Sequence, residues 1–288
     1  MRVKISKKNL IGLSISLAIA AALFPADGFA QTPHDQTERQ RLEQRNARTS
    51  PPNMLNESES AVERQAVADV IRLSFEELLA RRAAELDEPA RRFYERELRE
   101  RPEMKEARIL AGDDPRQIAL ARNIQPVFIQ FGRENYTKLV IFESNNPFVG
   151  LYRECLLLVS TKALELMSEE EQRAAAAHEL AHESFIGEMR RADAENDNRQ
   201  RRLIEIECDL TAVIALRRLG DDPLAVAAAG EKFALWYRRN PPAASLEPEK
   251  SPSGESRKRA IKLFLAEYNF QLAAKKVNPM PLPINEKQ

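Results

Sequence analysis

Cysteine and histidine are scarce in this chain, which holds two of the first and three of the second among 288 residues. Cys155 and Cys208 leave at most one disulfide, which the even count permits in an exported chain but which spacing alone cannot assign. Net charge is missing as well: 44 basic and 44 acidic side chains cancel, so a nucleic-acid partner has no electrostatic support. Beyond the amino terminus no apolar run approaches the roughly 20 residues that a membrane-spanning helix needs. What remains is a chain long enough to bury a core and to carry one catalytic domain with additions.

The amino terminus has its own pattern. Arg2, Lys4, Lys7 and Lys8 make a positive start, Leu10 to Phe24 an apolar run of fifteen, and Gly28-Phe29-Ala30 a small-residue cleavage site before Gln31. Residues 1–30 are therefore expected to be a secretory signal peptide, the run being short for a membrane anchor. No cysteine follows the cleavage site, so a lipoprotein is not indicated. Without those residues the chain has 40 basic against 43 acidic side chains, a net charge of minus three. That fits an exported protein, periplasmic or secreted, with no transmembrane span in the mature chain.

Residues 31–60, rich in Gln, Arg, Ser, Asn and Pro, read as a flexible linker. Residues 61–110 read as charged helices, with Val62, Val70, Ile71, Phe75, Leu78 and Leu79 giving the first an apolar side and Pro89 starting a second. They form either a layer packed on the domain that follows or a regulatory segment over its cleft. Gly112-Asp113-Asp114-Pro115 is a turn that opens a further helix near Arg116. Val127–Phe131, Lys138–Glu143 and Leu156–Ser160 read as short strands of one small sheet, the second alternating Leu139 and Ile141 against Val140 and Phe142.

The strongest signal lies between Ser168 and Gly187. Ser168 with Glu171 is a capping box, three glutamates complement the helix dipole, an alanine run favours helix and Gly187 can end it. On that helix stands the pentad His178-Glu179-Leu180-Ala181-His182. Histidines four apart lie one turn above the other and can present both imidazoles to one zinc ion, with Glu179 beside them able to take a proton from water. With so few histidines, chance produces this pattern on the order of a few times in a thousand chains of this length. A pair of solvated histidines is the bland alternative.

A third ligand is sought in Gln200–Gly220, where Leu203, Ile206, Leu210, Val213, Ile214 and Leu216 recur at helical intervals. Glu205 and Asp209 are one turn apart on one face. Glu205 is the expected third ligand, and Asp209 can accept the other ring N–H of His178 and fix its tautomer. Glu207 is the rival, pointing about 200 degrees away around the helix. Cys208 is expected to point off the metal face. After Pro223, residues 224–240 read as a helix whose Phe233, Trp236 and Tyr237 form core, and residues 257–274 read as a last helix before a loose tail, 275–288.

From about Asn145 to Ile261 the chain resembles the HtpX-like and BepA-like zinc metallopeptidases, a gluzincin family that also includes the CAAX prenyl proteases. The matching pieces are Asn146-Pro147-Phe148, the strand Leu156–Ser160, Glu169-Glu170-Glu171, the pentad, Glu205 with Asp209, and Gly220-Asp221-Asp222-Pro223. The resemblance implies a mainly helical α+β fold with a zincin-like metallopeptidase core over residues 111–274, its small sheet packed on the helix of the pentad. It also implies one zinc ion on His178, His182 and Glu205, and an edge strand that binds extended substrate, with Asn145–Leu151 as the cleft rim. The chain departs from the family where a Thr-His-Pro stretch is usual: here stands Lys250-Ser251-Pro252-Ser253, followed by Arg257, a candidate oxyanion stabiliser.

The expected function is an exported zinc endopeptidase acting on unfolded or misfolded protein and peptide substrates, with envelope quality control implied by the resemblance. The alternative is a catalytically quiet, zinc-bound protein that holds partner chains.

Overall fold

The computed structural model describes residues 52–82, 88–100, 104, 107–240 and 251–277. The expected signal peptide, most of the expected linker and the last eleven residues lie outside these. In chain order the elements are α1 (Pro52–Ile71), α2 (Phe75–Ala80), α3 (Glu88–Glu100), α4 (Pro115–Gln130), β1 (Lys138–Phe142), β2 (Val149–Tyr152), β3 (Leu156–Ser160), α5 (Thr161–Leu166) and α6 (Glu169–Ala181). A 3-10 turn (His182–Phe185) leads into α7 (Ile186–Glu195), followed by α8 (Asn198–Leu219), α9 (Ala225–Arg239) and α10 (Gly254–Val277). The fold is mainly helical with one three-stranded sheet, and no helix among the described residues is long and apolar enough to cross a membrane.

The sheet has the order β1-β3-β2, parallel between β1 and β3 (Lys138 opposite Leu156) and antiparallel between β3 and β2 (Leu157 opposite Leu151). The period-2 alternation works as read: Leu139, Ile141, Leu157 and Val159 face the main core, while Val140, Phe142, Leu156 and Leu158 face a smaller one with Leu98 of α3. Along the outer side of β1 the backbone of Arg108 and Leu110 makes hydrogen bonds, covering that edge. Among the described residues no strand pairs with the outer edge of β2.

Two expectations about this region are corrected. Val127–Phe131 is not a strand; Asp114 caps α4, Pro115 occupies its first turn, and the helix runs on to Gln130 with Phe131 as its cap. The apolar positions Leu120, Ile124, Val127, Phe128 and Phe131 form a helical stripe, all buried. Their burial, worth ~1.5–3 kcal/mol for each large side chain, offsets the roughly 3 kcal/mol cost of Pro126 inside the helix. The missing strand is instead β2, inside the stretch read as a cleft rim, where Gly150 lets the ring of Phe148 lie so close that a Cβ would meet it at 2.6 Å.

Ser168 caps α6 through the reciprocal box with Glu171, its hydroxyl accepting from the Glu171 N–H at 3.3 Å and the Glu171 carboxylate from the Ser168 N–H at 2.7 Å. Gly187 does not end this helix. The chain passes through the 3-10 turn and resumes as α7, which stops at Asn196 in the left-handed conformation. Gly187 therefore serves as an ordinary helical residue. The expected linker is also shorter than read, because α1 already begins at Pro52.

Helix α8 is the centre of the fold, with residues from Leu203 to Leu216 buried on nearly every side. Helix α6, carrying the pentad, packs on one side and α1 and α10 on others, so Val62, Ala66, Val67 and Val70 of α1 share one core with Leu210 and Phe264. Arg173 of α6 holds Asp221 through two nitrogens at 2.7 Å and Asn123 of α4 at 2.6 Å, fixing the approach of α6 to the turn after α8. That turn is reversed by Gly220 at φ +81°, a left-handed position that favours glycine. The aromatic group of α9 is half buried, Phe233 packing against the main core and Tyr237 against the smaller one, where Tyr237 also donates to the Pro147 carbonyl at 2.7 Å and pins the chain before β2.

Candidate metal centre

His178 and His182 face each other at the end of α6, ring centroids 4.9 Å apart and ring planes at 90°. The carboxylate of Glu205, on α8, reaches across to both: Oε2 lies 3.5 Å from His178 Nε2 and Oε1 3.7 Å from His182 Nε2. Donor atoms about 2.0–2.1 Å from a shared tetrahedral ion stand roughly 3.3 Å from one another, so these separations need only a small contraction to close on one ion. The group His178, Glu179 and His182 can bind a metal ion, each offering a ligand atom within 4.8 Å of the others. Glu179 also accepts the backbone N–H of Leu151 at 3.2 Å, which ties it to the open edge of β2.

Behind the donors lies a buried polar support. Asp209 Oδ1 stands 2.8 Å from His178 Nδ1, leaving Nε2 turned to the centre. Arg257, reaching in from α10, donates from Nη1 to Asp209 Oδ1 and from Nη2 to Glu205 Oε2, both at 2.8 Å. The expectation of Arg257 as an oxyanion stabiliser meets a different geometry: its guanidinium is engaged by the two acids that hold the donors. It enters from the first turn of α10, where the Arg257 N–H bonds the Ser253 carbonyl at 3.0 Å.

The cysteines are both free and buried, Cys155 in the smaller core and Cys208 in the main one, so no bridge joins them. Burial pushes the Cys155 thiol up to about 12 and the Cys208 thiol well above its ordinary value, keeping both protonated. Cys208 Sγ lies 3.4 Å from His182 Nδ1. It thus supports the second imidazole as Asp209 supports the first, a contact that helical spacing did not reveal. Glu207 points to the opposite side of α8, away from the histidines, and burial together with Asp69 and Glu188 pushes its carboxyl up to about 8. Leu151 and Arg133 are the other residues that only the fold brings to this neighbourhood. Arg133 forms a buried ion pair with Glu183, which directly follows His182.

The electrostatics set the protonation of the metal-free centre. Burial disfavours the charged form of His178, but Asp209 and Glu205 override it and push the imidazole up to about 10. Burial brings His182 down to about 4. Burial opposes ionisation of Glu205 too, yet His182, His178 and Arg257 hold it well below the usual carboxylate range. Glu179 is pushed up to about 7, chiefly by burial. At pH 7 His178 is therefore an imidazolium, His182 neutral and Glu205 ionised. A metal can take His178 Nε2 only once its proton leaves, so uptake at pH 7 releases about one proton per ion, with a fraction more from Glu179. Affinity consequently rises about tenfold per pH unit from pH 7 towards about 9. Calorimetry in buffers of different ionisation enthalpy measures the release, and uptake without a proton would contradict this charge assignment.

Comparison of the chain with protein-family models, with curated proteins and with solved structures finds no match. The chemistry of the centre thus rests on these side chains themselves.

Proposed function

We propose that the protein is a zinc-dependent endopeptidase of the gluzincin type, built on a zincin-like core, that cleaves unfolded polypeptides outside the cytoplasm. The observation that carries this reading is the convergence of Glu205 on both Nε2 atoms while Glu179 stands beside them against the edge of β2. His178, His182 and Glu205 would hold the ion, a donor set of two imidazoles and a carboxylate that suits zinc. Zinc bound there supplies Lewis acidity, polarising a peptide carbonyl and making water easier to deprotonate. Glu179 takes the proton of the attacking water and later delivers it to the leaving amine. Its raised carboxyl suits it to both tasks near neutral pH.

The outer edge of β2 supports the substrate reading. An extended peptide can add to this edge through backbone hydrogen bonds and come to lie beside Glu179 without a demand for particular side chains. Arg257 keeps Glu205 and Asp209 in place, and Cys208 steadies His182. The test uses the full chain on casein: cleavage is expected, with complete loss on chelation and return on adding one equivalent of zinc. Binding of casein without turnover in the zinc-loaded protein overturns the peptidase reading and favours a holding protein.

A further inference from the structure

Helix α1 turns an apolar stripe of Val62, Ala66, Val67 and Val70 to the core, and beside these stands one acid, Glu63, itself only 5% exposed. Its carboxylate is engaged by the first turns of α10. Oε1 accepts from the Ser256 hydroxyl at 2.8 Å and from Arg259 Nη2 at 2.8 Å, while Arg259 Nε lies 3.2 and 3.3 Å from the two oxygens. Ser256 is buried as well, and Ala260, Ile261 and Phe264 beyond it share the core with the α1 stripe. A buried charge is costly unless it is paired and hydrogen-bonded, so an acid in this stripe marks a specific tie between the two helices.

Between the two residues that Glu63 holds lies Arg257, whose guanidinium bonds Glu205 and Asp209. Ser256 and Arg259 are neighbours on one side of α10, so tying both sets the rotation and the height of that turn. A guanidinium stands roughly 8 Å from the axis of its own helix, so turning α10 by about 10° moves it by about 1.4 Å. A shift of that size breaks or bends the two 2.8 Å bonds of Arg257. We propose that Glu63 is a positioning residue of the metal centre: through Ser256 and Arg259 it sets α10 so that Arg257 holds Glu205 and Asp209. The inference rests on the zinc reading of the centre and adds to it a helix outside the stretch that resembles the metallopeptidases. On this reading α1 is not a layer that can be shed, because its loss releases α10 and with it the Arg257 contacts.

The test measures the zinc affinity of the full chain by competition with a chromogenic chelator, and so does not depend on turnover. Glu63→Ala is expected to weaken zinc binding about tenfold or more, the usual result of removing an outer support of a metal site. Val67→Ala, which removes apolar contacts from the same helix without touching either tie, is expected to change it less than twofold. Glu63→Gln keeps an acceptor for the Ser256 hydroxyl and is expected to fall between Glu63→Ala and the native chain. In an Arg257→Met background, Glu63→Ala is expected to change affinity less than threefold, because the residue it acts through is gone. Should Glu63→Ala fail to fold, Ser256→Ala is expected to weaken zinc binding at least threefold in the native background and not beside Arg257→Met. Unchanged affinity in Glu63→Ala or, where that does not fold, in Ser256→Ala overturns the inference while the zinc reading stands. An equal loss in Val67→Ala, or an undiminished loss beside Arg257→Met, does the same. A native chain that takes up no zinc overturns both.

Discussion

Glu179→Gln is expected to slow cleavage of an unfolded protein about 10²- to 10⁴-fold while zinc stays bound, the range a positioned general base contributes. In barrier height that is roughly 3–5 kcal/mol. The amide is isosteric with the carboxylate and still accepts the Leu151 N–H, so the strand edge and the helix end keep their positions. What it cannot do is hold a proton between the attack of water and the departure of the amine. Turnover measured beside zinc content separates the possibilities: cleavage within tenfold of the native rate rejects Glu179 as the base. Loss of zinc together with activity makes Glu179 a ligand instead, the role its closeness to both histidines also permits.

The second large effect is on stability and turns on an asymmetry between two buried partners. Arg133 is 1% exposed and Glu183 2%, and the Arg133 guanidinium also lies over the Tyr136 ring at 4.3 Å. Burial already pushes the Glu183 carboxyl up to about 7, against the pull of Arg133. If Arg133 is replaced by Met, Glu183 can escape its predicament by taking a proton. If Glu183 is replaced by Gln, the guanidinium cannot shed its charge at any ordinary pH. Glu183→Gln is therefore expected to cost about 3–5 kcal/mol, the usual result of stranding a buried charge, and Arg133→Met clearly less. The double change Arg133→Met with Glu183→Leu removes both charges and recovers most of the loss. Urea denaturation of the four proteins, metal-free, gives the comparison. A Glu183→Gln protein within about 1 kcal/mol of native, or one no weaker than Arg133→Met, would refute the asymmetry.

Local chemistry was legible wherever the signal sits within one turn of chain. The capping box at Ser168 and the Asp114-Pro115 helix start depend on neighbours a few residues away, and each forms as read. Val127–Phe131 misled because β-branched and aromatic residues after a proline carry strand propensity, whereas the deciding contacts are made by the stripe back to Leu120. Gly187 misled because glycine ends helices only where the chain needs a left-handed residue, and Asn196 fills that position. At the site, the four-residue spacing of the pentad and of Glu205 with Asp209 was visible, since helical period alone puts each pair on one face. Arg257, the Cys208 thiol and the Leu151 N–H were assigned no such contacts, because each reaches the centre through packing that joins segments 26 or more positions apart.

Arg257 also imposes a chronology. It stands 52 positions after Glu205 and 48 after Asp209, and both acids, with the histidines, leave the ribosome first. Until α10 docks, the two acids, one turn apart, lack the guanidinium that bridges them in the folded protein. An unfinished chain thus carries every donor of the centre yet lacks the clamp that aims them, and the centre is completed only by the last helix to be made.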